Sequence, residues 1–140
     1  MAGLVLDCSV AVAWCFEDEA SPETDAILQR VRDDGALVPA LWHLELGNVL
    51  IQAERCGRLS AADTSARLEP IAVLPIVTDH EGPARALRQV LALARAEHLT
   101  TYDAAYLELA LRSALPLATK DRALAAAARR CGLAALPHGG

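Results

Sequence analysis

A parallel α/β sheet with helices on both faces is the fold class that this 140-residue sequence predicts. Three observations lead there. Short apolar runs of strand length alternate along the chain with longer segments of helical periodicity. Helix start and stop residues punctuate that alternation. No repeat, low-complexity stretch or linker interrupts it, so a single domain over residues 1–140 is expected.

Taken in order, Leu4-Val5-Leu6, ending at Asp7, reads as a buried first strand. Ser9 to Phe16 follows as a short helix. Ser21 is placed to cap the next one, with Pro22 at its first position and Glu23 in its first turn. Ile27, Leu28 and Val31 give that helix an apolar face, and Gly35 ends it. Ala36 to Pro39 is the second strand. Leu41 to Arg55 is a long helix with Leu46, Val49, Leu50 and Ala53 at helical spacing and Gly57 beyond its end. Ser60 and Asp63 stand at capping-box spacing for a further helix. Val73 to Val77 reads as the third strand, and Pro75 within it points to a sheet edge. Pro83 to Glu97 is helical, with Leu87, Val90, Leu91 and Ala94 on one face. Thr100 caps a helix through Ser113 that carries Asp103 at its third position. Leu117 to Thr119 is the fourth strand, Asp121 to Arg130 the last helix, ended by Gly132, and Leu133 to Leu136 the fifth strand.

Composition sets the outer bounds. Apolar residues make up 54%, enough for a real core, while aromatics are only 4%, so Ala, Leu and Val must build it. The apolar run from Pro70 to Val77 is far short of the ~18 residues that span a bilayer, and it holds two prolines. No basic segment precedes the first apolar residues, as a secretory signal would require, and the expected location is the cytoplasm. Cys8, Cys15, Cys56 and Cys131 form no C-x-x-C pair and have no His at zinc-site spacing, so they read as reduced thiols. The net charge of −5 argues at first against a nucleic-acid partner. That objection weakens if the carboxylates concentrate where a divalent cation reverses the local sign.

In open α/β sheets, ligands gather beyond the C-terminal ends of the strands. Four acids fall there: Asp7 closes the first strand, Glu45 opens the helix after the second, Asp103 lies in a first helical turn, and Asp121 follows the fourth strand. Converging carboxylates repel one another, and the usual compensation is a hard cation such as Mg²⁺ or Mn²⁺. Such an ion suits phosphodiester hydrolysis. A duller explanation stands beside this one. Asp103 and Asp121 are also where helix capping places an acid, and Glu45 fits a solvated helix face. Asp7 is harder to explain away, because a carboxylate ending an apolar strand is costly unless paired or metal-bound.

The segments that hold these acids carry a resemblance. Val5 to Trp14, Glu45 to Leu50, Thr101 to Ala110 and Leu117 to Leu124 resemble, in order, the four motifs of the PIN-domain family, covering roughly residues 4 to 136. The resemblance implies a PIN-like three-layer fold with a five-stranded parallel sheet in the order 3-2-1-4-5. It implies that Asp7, Glu45, Asp103 and Asp121 are catalytic and bind the metal. Ser9 and Thr119 would orient carboxylates or water from behind, and Asn48, one turn after Glu45, would support that acid. Lys120 departs from the family, where a smaller or acidic residue is common. Its side chain is read as pointing away, binding phosphate or pairing with a carboxylate.

The small size and the first motif resemble the VapC-type toxins of toxin–antitoxin pairs. This implies a Mg²⁺- or Mn²⁺-dependent endoribonuclease cleaving structured RNA, such as a tRNA or ribosomal RNA loop, to arrest translation. It also implies a VapB-type antitoxin covering the acidic pocket, a homodimer and a toxin–antitoxin hetero-oligomer, with no membrane partner. A catalytically silent binding module on the same scaffold is the alternative. A response-regulator receiver fits poorly, since Asp79 is its only candidate phospho-acceptor and Asp7 is followed by Cys8 instead of a second acid. His43, His80, His98 and His138 are scattered, Trp14 and Trp42 suit packing better than base stacking, and the arginines at 55, 58, 67, 85 and 88 read as much like solvated faces as an RNA-steering patch.

Overall fold

The computed structural model of the chain describes residues 2–137. Five parallel strands lie in the order β3-β2-β1-β4-β5: β1 (Leu4–Leu6), β2 (Ala36–Pro39), β3 (Ile76–Asp79), β4 (Leu117–Ala118) and β5 (Ala135–Leu136). The expected fold class and strand order are therefore observed. All three β1 residues are fully buried, as a central strand covered on both faces must be.

Helices cover the sheet in two groups. α1 (Cys8–Cys15) packs against α2 (Pro22–Asp34) and α3 (Leu41–Arg55), and α3 also meets α4 (Ala61–Ala72). α7 (Thr101–Ser113) packs on β1 and β2, with α6 (Leu91–Glu97) and α8 (Arg122–Arg130) beside it. The capping expectations hold in detail. Ser21 accepts from the Thr24 N–H and Ser60 from the Asp63 N–H, each in a reciprocal capping box. Gly35 ends α2 at φ 79°, where an added Cβ would come within 3.1 Å of the Pro75 carbonyl oxygen.

Two elements differ from expectation. The third strand begins after Pro75, because α4 runs on through Pro70 to Ala72 and Val73 serves as its C-cap. Proline still marks the edge: it joins β2 only by its carbonyl, accepting from the Ala36 N–H at 3.0 Å. The expected helix from Pro83 to Glu97 contains a π-helical turn at Ala86–Val90, between α5 (Gly82–Arg85) and α6. The wider turn shifts the helical phase, so Val90 and Ala94 are buried as expected while Leu87 is 83% exposed.

Among the described residues, no helix is long and apolar enough to cross a membrane. The four cysteines are free thiols, Cys8 and Cys15 buried and Cys56 exposed. Trp42 is buried, and half-buried Trp14 donates from Nε1 to the Thr24 carbonyl at 2.9 Å, so both serve packing. His138 lies outside the described residues.

Candidate active site

Parallel strands send all their C-terminal ends to one edge, and the site assembles there on the two central strands. Asp7 follows β1 directly and is 6% exposed. It occupies the N-cap position of α1 without using its side chain as a cap. Instead its Oδ2 accepts from Ser9 Oγ at 2.8 Å and Thr119 Oγ1 at 2.6 Å. Thr119, just past β4, also accepts from the Asp121 N–H at 3.0 Å, and Ser9 Oγ accepts from the Lys120 N–H at 2.9 Å. Two hydroxyls thus bind the ends of the neighbouring strands β1 and β4 to one carboxylate. Both are the hydroxyls that the sequence places beside the acids.

Glu45 lies one turn into α3 and is half-buried, with Oε1 accepting from the Tyr106 hydroxyl. Tyr106 is fully buried on α7, one turn after Asp103. The support expected from Asn48 comes from this tyrosine instead: Asn48 is exposed and makes no hydrogen bond to Glu45 among the described residues. The i, i+3 spacing of Asp103 and Tyr106 was the available signal.

Capping accounts for Asp121 in part, since its Oδ1 accepts from the Leu124 N–H at 2.9 Å. Asp103 is different. Thr100 caps its helix, and among the described residues the Asp103 carboxylate takes no hydrogen bond. It is left half-buried beside the other acids.

The four carboxylates act on one another. Burial pushes the Asp7 carboxyl above its ordinary range against the pull of Thr119, Ser9 and the Cys8 N–H, and the charge of Asp121 raises it further. Burial likewise raises Glu45, opposed by the Tyr106 hydrogen bond and reinforced by Asp7 and Asp103. Asp103 is raised by burial, then by Asp121 and Asp7. The Cys8 thiol beneath is pushed up to about 12 by burial and by the charges of Glu45 and Asp7. Among the described residues, no Lys, Arg or His forms an ion pair with any of the four acids.

As they stand, no three His, Cys, Asp or Glu side chains among the described residues close into a ready ligand set. The donor chemistry nonetheless fits a hard divalent cation: all-oxygen, anionic, mutually repelling and without an internal counter-charge. Asp79 has the opposite character. Arg112 holds both its oxygens at 3.0 Å and its carboxyl below the usual range, so it is not a free phospho-acceptor. Lys120 turns from the acids toward Glu19, at 3.9 Å.

Fold and site together define a parallel α/β domain with an oxygen-only acidic centre at the C-terminal edge of its sheet. The PIN domain family model matches residues 4–130, and the chain belongs to that family. PIN domains are generally nucleases. The crystal structure of PAE2754 from Pyrobaculum aerophilum is similar, with a TM-score of 0.71 and 27% identity over 96% of this chain and 83% of that one. No curated protein matches the sequence.

Proposed function

We propose that the protein is a divalent-metal-dependent endoribonuclease, the toxin of a VapBC-type pair, cleaving structured RNA such as tRNA or rRNA to arrest translation. The observation that carries this is the group of four interacting carboxylates, three with raised proton affinity, with which no cationic side chain among the described residues forms an ion pair. Asp7, Glu45, Asp103 and Asp121 would hold Mg²⁺ or Mn²⁺. When bound, such an ion polarises a scissile phosphate and activates water beside it.

The chain's own residues hold the acids in place and offset part of the rise in their proton affinity. Ser9 and Thr119 fix the rotation of the Asp7 carboxylate by donating to one oxygen. Tyr106 does the same for Glu45 and favours its charged form. Asp103, whose carboxylate takes no hydrogen bond among the described residues, keeps its lone pairs available. The Cys8 thiol stays protonated at neutral pH and is not poised as a nucleophile. A VapB-type antitoxin is the proposed partner. An apolar cleft of about 340 Å³, lined by Leu41, Leu87, Val90 and Tyr102 and adjoining the Asp103 turn, supports a peptide partner beside the acids. A homodimer, and a hetero-oligomer with the antitoxin, belong to the same proposal.

The test is cleavage of total cellular RNA with Mg²⁺ or Mn²⁺ by the wild type, Asp7→Asn and Asp103→Asn. Discrete fragments from the wild type, absent with EDTA and reduced at least about 100-fold in either variant, are expected. Undiminished cleavage by folded Asp7→Asn would falsify the mechanism, and no cleavage by folded, antitoxin-free wild type would favour a silent binding module.

A further inference from the structure

A cleft of about 620 Å³ opens beside the acids and shares Thr119 and Asp121 with them. One of its walls is α8, which presents Arg122, Ala125 and Arg129 to it. Positions i, i+3 and i+7 form a single stripe on a helix. With a rise of 1.5 Å per residue, the two arginines stand about 10 Å apart along the axis. Ala125 between them has no bulk, so an extended ligand can lie against the helix with a guanidinium at either end. The stripe starts at Asp121, the N-cap of α8, so cleft and acidic centre share one rigid element.

The position of the stripe sets its charges apart. The chain carries a net charge of −5, so cations beside an acidic pocket do not follow from a general basic excess. Arg58, Arg85, Arg112 and Arg130 each have a carboxylate partner. Among the described residues the other eight arginines have none, and of these Arg122 and Arg129 are the two that line this cleft, beside Glu23. Lys120, the chain's single lysine, stands at the rim, partly occupied by Glu19 at 3.9 Å.

We propose that this cleft binds phosphates of the RNA strand flanking the scissile bond, with Arg122 and Arg129 as its positioning residues. The inference rests on the nuclease reading and adds to it where the substrate lies. Guanidinium groups pair with phosphate oxygens in a fork. Phosphate contacts of this kind set register without reading sequence. The subsite therefore aligns the strand with the acids while base choice is made elsewhere.

The test is binding of a short labelled oligouridine to the metal-free protein across a series of salt concentrations. Wild type is compared with Arg122→Ala/Arg129→Ala and with Arg32→Ala/Arg95→Ala, which removes two exposed cations from elsewhere. For single strands each lost phosphate contact flattens the slope of log K against log salt by about 0.7, so the stripe variant should lose about 1.4 and bind roughly tenfold more weakly. The control should match wild type. Equal losses in both double variants, no RNA binding by wild type at low salt, or polyglutamate bound as tightly through the same arginines would each overturn the subsite. Because no metal is present, binding is read independently of cleavage. Loss confined to the stripe variant, in a protein that never cleaves RNA with Mg²⁺, would keep the subsite as an RNA-binding cleft and remove the nuclease.

Discussion

Hydroxyl groups at this site act on carboxylates from behind, and Tyr106 is the one whose removal is most informative. Its hydroxyl donates to Glu45 from a fully buried position, and the bond favours the ionised acid. Tyr106→Phe keeps the ring and removes only the donor. We expect a loss of about 1 to 2 kcal/mol in stability, seen as a lower urea midpoint. The Glu45 carboxyl should rise further above its ordinary range, so the acid limb of the cleavage profile moves to higher pH. An unmoved limb would mean that Glu45 does not need its charge. Ser9 and Thr119 are legible in the sequence because they adjoin acids in the motifs. The i, i+3 spacing places Tyr106 on the same helix face as Asp103, but its contact with Glu45, 61 positions away, leaves no local pattern.

Among the elements, α7 links most parts of the molecule. It carries Asp103 at its N-terminal turn, Tyr106 one turn later, and Glu108 and Arg112 beyond. Arg112 donates to both oxygens of Glu108 and both of Asp79, tying the helix to the end of the edge strand β3. Glu108 and Asp79 side chains are each only 8% exposed, so Arg112→Ala takes the guanidinium from two nearly buried carboxylates and leaves Glu108 only the longer 3.7 Å pair with Arg85 and Asp79 only backbone donors. A cost of about 3 kcal/mol is expected, with Arg112→Lys recovering part because a single ammonium cannot serve both in a fork. Asp79 is held below the usual range, chiefly by its Arg112 hydrogen bonds. Its contribution is therefore present above the ordinary aspartate range and lost as pH falls through the lowered value. Chemical denaturation at neutral and acid pH should show the wild-type advantage over Arg112→Ala shrinking on the acid side. A constant difference would place the effect in lost packing. In the two elements that departed from expectation, proline and periodicity are local signals and placed neither the end of α4 nor the π turn at Ala86–Val90.

For the whole molecule, the acidic centre imposes a pH dependence opposite to that of Asp79. Asp7, Glu45 and Asp103 hold their protons more tightly folded than unfolded. Their stabilising effect is complete below the ordinary carboxylate range and is lost as pH rises through the raised values, so the metal-free protein carries a penalty at neutral pH. Asp103→Asn removes one charge of the group without breaking a hydrogen bond. In EDTA at neutral pH its Tm should exceed wild type by about 2 to 4 °C, and added Mg²⁺ should raise the wild type by more than the variant. A lower Tm in EDTA, or equal gains from Mg²⁺, would show that repulsion is not what the acids contribute. The sequence alone determined the parallel α/β class, the helix caps at Ser21, Ser60 and Thr100, and the edge on which the four acids lie, because periodicity and capping are short-range and strand direction follows from the alternation of elements. Only the tertiary structure decided that Tyr106 and not Asn48 supports Glu45, that Leu87 faces outward, and that Arg122 and Arg129 share a cleft with the acids. Each of those depends on which surfaces meet across the fold, and burial and charge take their values only after that packing is complete.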